Sequence, residues 1–492
     1  MFDTLKQKIG KDNAFPARAA ELGYFRAVLK GTLYDCLRFE FHEEYDGGEQ
    51  YVPLAQRRPS VRYNLCRLLV EDSVSLLFGE GRFPKIKCAN LNVIKTLEDI
   101  IEETGLCAIM QDAAFRGSVG SIAIWMRVIE SRLFFDVLDT DFLTPKWKAS
   151  APDTLESVTE RYKVRGSDLA ALGYPIQDGD LRAQFWFQRV WDEQNETWFL
   201  PFRVIPPRGQ GAEEPVIDSA RSVEHGLGFV PIVWIKNLAG GNGIDGACTF
   251  EPAIETQIEI EYNLSQNGRG LKYSADPTLL VKEPAGIGGG SIVKSAGNAL
   301  MVAKDGDAKL LEIGGTASAA VIEYVKALRE MALESIHGNR SNADKVNAAQ
   351  SGRALEMLHQ PLIWLADKLR TSYGSQGLLP LLRMVIKARR VVKIDVFDEP
   401  IPEFPAGSRI MLEWPPWFHR TTADMASDAN RIQTLAKGGL ISRKTGVTVL
   451  KDDNGVVDVD AEITAIETDI AAEDERAAAL GAQTKATETL PA

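Results

Sequence analysis

The hydrophobic period of this chain changes once, sharply, near residue 120, and that change restricts the folds open to it. Val61, Leu65, Leu68, Leu69, Val74, Leu76 and Leu77 recur at near-helical spacing over 61–78. Gly79, Gly81 and Pro84 then supply ordinary helix-ending chemistry. Two further helices are predicted around 94–105 and 108–116. From Ser121 the period becomes two: Ile122, Ile124, Met126 and Val128 alternate with Ala123, Trp125, Arg127 and Ile129. Segments 133–138, 156–164, 185–191 and 197–204 continue the strand pattern, with a hairpin loop at 192–196. A block of helices followed by a block of strands points to an α+β chain, not an alternating α/β one.

The second half returns to helices. Phe229–Trp234 reads as a short strand at a sheet edge, because Pro231 cannot donate to a ladder. After the break Gly240-Gly241-Asn242-Gly243, a helix is predicted over about 250–268, then a Gly-rich, strand-like stretch over 277–315. A strong helix spans 316–337, with Ala317, Val321, Tyr324, Val325, Leu328, Met331, Ala332 and Ile336 along one face. Residues 352–390 read as helix interrupted by Pro361 and Pro380. Pro361 removes a hydrogen bond to the Met357 carbonyl and is expected to kink the helix there. Strands are expected at 391–396 and 409–414, helix at 421–450, and an acidic, Ala/Thr-rich end whose last ~15 residues are disordered.

Between the helices ending near Ile336 and starting near Gly352 lies a polar segment, 339–351, rich in Asn, with Arg340 and Lys345 as its cations and Gly338 and Gly352 at its flanks. Polar interruptions of this length within compact chains are usually functional or disordered. Ser351 is placed to cap the following helix.

The formal net charge is −12. That argues against a simple basic nucleic-acid binder, which needs concentrated Lys and Arg. Cys36, Cys66, Cys88, Cys107 and Cys248 are scattered and odd in number, as reduced thiols in a cytosolic setting would be. His42, His225, His337, His359 and His419 show no metal-ligand spacing. The N-terminus lacks an apolar signal region, and no apolar run approaches the roughly 20 residues of a membrane helix. A soluble intracellular product without a membrane partner is expected. Gly286–Ser291 lacks the Gly-Lys-Ser/Thr ending of a phosphate loop, and no G-x-S-x-G elbow occurs. The acidic pairs Glu102-Glu103 and Asp452-Asp453 read as solvated surface. No titratable set is arranged for acid–base chemistry, so the chain reads as a non-enzyme without cofactor or metal.

Five short motifs then occur in a telling order. Asn64–Leu77 runs into Phe78-Gly79-Glu80-Gly81; Gly228-Phe229-Val230-Pro231-Ile232-Val233 is followed by Asn237. Ile254–Ser265 leads to Pro277-Thr278-Leu279-Leu280-Val281; Ser351-Gly352-Arg353-Ala354-Leu355 opens a helix. Trp414-Pro415-Pro416 precedes Gly439-Leu440-Ile441-Ser442-Arg443-Lys444-Thr445. In this order the chain resembles the portal proteins of tailed bacteriophages, the head-to-tail connectors. The resemblance implies an α+β portal fold with an α/β wing, a two-helix stem, a small α/β clip, a kinked tunnel helix and a helical crown. Residues 1–245 and 339–419 would form the wing, tunnel loop and tunnel helix. Segments 246–273 and 316–338 would be the stem helices, 274–315 the clip and 420–492 the crown. It also implies a homo-oligomeric ring, usually a dodecamer, at one capsid vertex of the virion, assembled in the host cytoplasm. Double-stranded DNA would pass through the ring during genome packaging and ejection. The terminase large subunit, a head–tail adaptor, and the major capsid and scaffolding proteins would be partners. The alternative is a structural capsid or head–tail adaptor protein that does not surround DNA.

Two residue sets follow from this resemblance. The tunnel loop would present Asn339, Arg340, Asn342, Lys345, Asn347 and Gln350 to DNA, with only two cations per copy. On the first stem helix Phe250, Ile254, Ile258 and Tyr262 recur at i, i+4, and Glu251, Glu255 and Glu259 form an acidic row beside them. That row is a solvated surface, or faces Lys326 and Arg329 of a neighbouring stem, or lines a channel and repels phosphates.

Overall fold

In a computed structural model of the protein the described residues are 5, 16–205, 213–275, 278–284, 302–311, 315–336, 359–405, 407–417, 422–451, 455–456 and 458–488. The chain divides into two compact units. One comprises Met1–Arg340 and Gln360–Pro415, the other Ser341–His359 and Pro416–Ala492.

The larger unit begins with α1 (Ala17–Lys30), α2 (Leu65–Phe78), the short strand β1 (Lys85–Lys87), α3 (Leu91–Glu103) and α4 (Leu106–Gly117). Asn64 explains how the first two helices meet. Its Oδ1 accepts from the Arg67 amide at 3.0 Å and caps α2, while its Nδ2 donates to the Val28 carbonyl at 2.8 Å near the end of α1. One side chain thus satisfies orphan groups at a helix start and a helix end.

The strands follow: β2 (Ser121–Ile129), β3 (Arg132–Asp139), β4 (Leu143–Lys148), β5 (Ala151–Arg165), then helix α5 (Gly166–Ala171), β6 (Gln184–Trp191), β7 (Asn195–Trp198), β8 (Phe202–Arg203), β9 (Val223–Glu224) and β10 (Ile232–Lys236). After them come α6 (Ile254–Ala275), β11 (Thr278–Pro284), β12 (Val302–Leu311), α7 (Gly315–Ser335) and α8 (Gln360–Leu369). A nine-residue π-helical stretch, Arg370–Leu378, leads directly into α9 (Leu379–Ala388). β13 (Asp395–Val396), β14 (Glu399–Pro400) and β15 (Met411–Glu413) complete the unit. One sheet runs β10-β2-β3-β13-β14, a second β4-β5-β6-β7-β9 with β8 on β6, while β1–β15 and β11–β12 form pairs. β10 is an edge strand, as Pro231 requires, and the Pro231 carbonyl still accepts from Met126 at 2.8 Å.

The fold is mixed, as an α+β reading requires, and several boundaries move. The expected strand at 391–396 shrinks to β13, because 389–392 close the end of α9 in turns. Pro361 stands in the first turn of α8, where a missing N–H costs nothing. The helix expected before it, and so the kink, falls on residues outside those described. The tract from α8 to α9 is instead interrupted by the π-helical stretch, which places buried Tyr373 against Asn237 at 3.0 Å. Gly374 lies so close to Trp414 that a Cβ there would collide with the indole.

The smaller unit contains α10 (Thr422–Lys437), α11 (Arg443–Leu450) and α12 (Val459–Glu488). Ser442 caps α11 by accepting from the Thr445 amide at 3.1 Å, and Asp458 caps α12 by accepting from Asp460 N at 2.9 Å. Gly446 lets α10 and α11 approach, since a Cβ there would lie 2.9 Å from Ile432 Cγ2. The predicted disordered end is corrected: the helix continues through Glu488. Ala and Glu, both strong helix formers, recur through this stretch, and no Pro occurs between Val459 and Leu490.

Candidate functional site: the paired helices and their anchorage

The elements that would form a stem are α6 and α7. They pack against each other, and β11 and β12, paired antiparallel, lie between them in the chain. Phe250, Ile254, Ile258 and Tyr262, predicted as one apolar row, are all buried. Glu251, Glu255 and Glu259 are all exposed, the first in a single 3-10 turn ahead of α6. Glu259 accepts from Asn263 Nδ2 at 2.8 Å; Glu251 and Glu255 have no ion-pair partner among the described residues.

α7 departs from its predicted face. Leu328, Ala332, Leu333 and Ile336 are buried, but Tyr324 and Met331 are 48% and 53% exposed. Val321 and Val325 are half-buried, so the predicted row is covered unevenly, with Tyr324 and Met331 left open along it. Lys326 is exposed and pairs with Glu323 at 3.6 Å. Arg329 is half-buried, and its Nε has no hydrogen-bond partner. Neither cation pairs with the acidic row within the chain. The tunnel-loop residues Asn339, Arg340, Asn342, Lys345, Asn347 and Gln350 lie outside the described residues.

A third row on α6 is absent from the sequence reading. Gln257, Glu261 and Ser265, spaced i, i+4, i+8, are polar and buried. Gln257 Oε1 accepts from the Cys66 amide at 2.9 Å, and Ser265 Oγ accepts from the Val61 amide at 2.9 Å. Between them the Tyr34 hydroxyl donates to Glu261 Oε2, and Gln257 Nε2 donates to Glu261 Oε1 at 3.3 Å. Burial pushes the Glu261 carboxyl up to about 7, against the lowering pull of the Tyr34 hydroxyl, Arg62 and Gln257. The same burial, with the Glu261 carboxyl beside it, raises the Tyr34 phenol. Tyr262 donates to the Arg57 carbonyl at 2.7 Å, and Arg269 pairs with Glu44, holding that carboxyl below its usual range. The sequence offers only three polar residues at helical spacing beside the apolar row, a pattern that by itself reads as surface.

A second buried polar hub fixes the loop before α6. Asn237, fully buried, donates through Nδ2 to the Ala247 carbonyl at 2.9 Å and Thr249 Oγ1 at 2.8 Å, and its Oδ1 accepts from Tyr373. Arg18 and Asp245 form a bidentate pair at 2.6 and 2.7 Å, and Ser121 Oγ donates to Asp245 Oδ1 at 2.5 Å. Burial raises the Asp245 carboxyl, but the hydrogen bonds from Arg18 and Ser121 outweigh it and leave it below its ordinary value.

Among the described residues there is no group of three His, Cys, Asp or Glu side chains placed to hold a metal, and no helix is long and apolar enough to cross a membrane.

No protein-family profile and no curated protein matches the chain. Among solved structures, a chain of the neck of a native gene transfer agent particle, computed with C12 symmetry, is similar at 12% identity and a TM-score of 0.39, covering 78% of this chain and 90% of that one. A chain of the native gene transfer agent virion matches at 12% and 0.34, and one of the neck of the empty particle, computed with C6 symmetry, at 12% and 0.36; each covers 78% of this chain and 88% of the other. At such scores the likeness carries no fold or function.

Proposed function

We propose that this chain is a portal-type protein of a tailed-phage-like particle. It forms a ring at one capsid vertex, passes double-stranded DNA during packaging and ejection, and docks a terminase large subunit and later a head–tail adaptor. Its role is architectural, not catalytic. The observation that carries the reading is the order α6, hairpin β11–β12, α7, then the polar segment 339–351 and the long tract α8 to α9. The five sequence motifs fall on this order from Asn64 to Thr445. In this reading α6 and α7 are the stem, the hairpin belongs to the clip, and 339–351 is the tunnel loop.

Two features of the described residues support an oligomer. Tyr324 and Met331, one in each half of α7, leave one edge of its apolar row uncovered. The acidic row of α6 is exposed and unneutralised, which suits a wall that must let phosphates slide. Negative-stain images of the purified chain test the proposal. Rings with a central hole near the width of duplex DNA are expected; compact monomers or dimers at all concentrations refute it.

A further inference from the structure

In this acidic chain one sheet face carries unneutralised positive charge. Arg161, Lys163 and Arg165 alternate on β5 and therefore project from the same face of the β4–β9 sheet. Lys163 stands opposite Trp186 of β6, and Arg165 opposite Gln184. The Arg161 guanidinium lies 4.4 Å from the Trp186 ring centre and 5.5 Å from that of Phe202, and Lys163 Nζ lies 5.1 Å from Trp186. Arg165 and Arg182 line an open cleft of about 760 Å³ beside this row. Arg161, Arg165 and Arg182 are exposed and Lys163 is half-buried. None of the four has an ion-pair partner among the described residues. Asp180, two residues before Arg182, is paired with Arg203.

We propose that this face binds the phosphate backbone of double-stranded DNA without reading its sequence. Alternate residues of a strand stand about 6.6 Å apart, close to the through-space separation of successive phosphates, so the row can meet a backbone in register. Charge complementarity carries the choice of partner: four unpaired cations lie together on a chain of net charge −12. The aromatic ring decides between duplex and single strand. A single-strand platform offers a bare ring for bases to stack on. Trp186 has Arg161 and Lys163 over it, so it orients the cations and is not free for a base. This surface is separate from the α6–α7 elements, and the inference does not rest on ring formation.

The test is fluorescence anisotropy of the full-length protein with a labelled duplex over a series of salt concentrations, beside Lys163→Gln/Arg165→Gln/Arg182→Gln. A second variant, Arg165→Lys/Arg182→Lys, keeps the charge. The triple variant is expected to bind roughly tenfold or more weakly at low salt. Its slope of log affinity against log salt should fall by about 2.7, three phosphate contacts at about 0.9 each. The charge-keeping variant should retain most of the affinity. Unchanged circular dichroism and melting exclude misfolding. An unchanged slope in the triple variant overturns the proposal. So does tighter binding of a single strand of equal charge, or displacement of duplex by equimolar polyglutamate, which would assign the face to an acidic polypeptide.

Discussion

Replacing Glu261 by Gln tests whether the buried polar row holds α6 in place. The carboxyl is 1% exposed and titrates near 7 in the folded chain against 4.5 for an ordinary glutamate. Its folded value is raised, so the protonated form is the one the fold favours. That contribution is complete below pH 4.5 and is lost as pH rises through 7. For opening of this region the linkage relation gives a loss of about 2.5 kcal/mol between pH 5 and pH 8, roughly seventyfold in the opening constant. The assay is amide hydrogen exchange followed by mass spectrometry on peptides covering 26–38 and 254–265, corrected for the intrinsic pH dependence of exchange. Peptides from β2 and β10, which do not touch Glu261, serve as the reference. Protection of the α6 peptides should fall by that factor relative to the reference as pH rises. In Glu261→Gln the fall should vanish, because no buried charge forms. A wild-type protein whose α6 protection tracks the reference across this range refutes the argument. A variant that keeps the pH-dependent fall would assign it to another group.

Other outcomes follow from the same geometry. Asn237→Ala should cost about 3 kcal/mol in chemical denaturation, since it strands the Tyr373 hydroxyl and the Thr249 and Ala247 oxygens in the interior. Gly117→Ala puts a methyl group against the Tyr373 hydroxyl and Ile122, so it should destabilise by a few kcal/mol, about 1–3, and the loss should be partly relieved in a Tyr373→Phe background. Neutralising the acidic row with Glu251→Gln/Glu255→Gln/Glu259→Gln should leave the melting temperature within a degree or two, because exposed groups contribute little. In imaging at low ionic strength that variant should form rings at least as readily as the wild type; loss of its rings would mean the row instead pairs with a neighbour. Arg340→Ala with Lys345→Ala should leave assembly intact and lower DNA retention in packaging assays; full retention would remove the DNA role of 339–351.

Elements set by local rules were legible in the sequence. The helical run stopping at Phe78-Gly79, the strand from Ser121 and Pro231 at a sheet edge each rest on signals within a few residues and appear where expected, although that helix starts at Leu65 after the Asn64 cap and not at Val61. Contacts that depend on distant partners were not. β1 pairs with β15 across more than three hundred residues, joining Ile86 to Leu412, and nothing in either short segment specifies the other. The π-helical stretch depends on Gly374 and Gly377 meeting Trp414 and Ile235, which no periodicity announces. Among candidate site residues the spacing of the acidic row was legible, but which of its three possible facings it takes was not. The polar row escaped because Gln, Glu and Ser at helical spacing read as surface, and only the apposed Tyr34, Tyr63–Cys66 and Val61 make it interior.

These two rows are physically coupled. A helix of period 3.6 that has fixed one row has fixed every other. Ile254, Ile258 and Tyr262 set which side of α6 enters the core, but apolar packing alone tolerates some rotation. The hydrogen bonds at Gln257, Glu261 and Ser265 do not, because each has one partner at one distance and a buried donor left unpaired costs 1–3 kcal/mol, roughly. With that row locked onto 61–66 and Tyr34, Glu255 and Glu259 are turned to the opposite side of the helix and stay in solvent. The buried glutamate thereby determines where the exposed ones point. A surface that must present carboxylates in a fixed direction needs such a lock, and on α6 the lock and the surface lie on the same two turns.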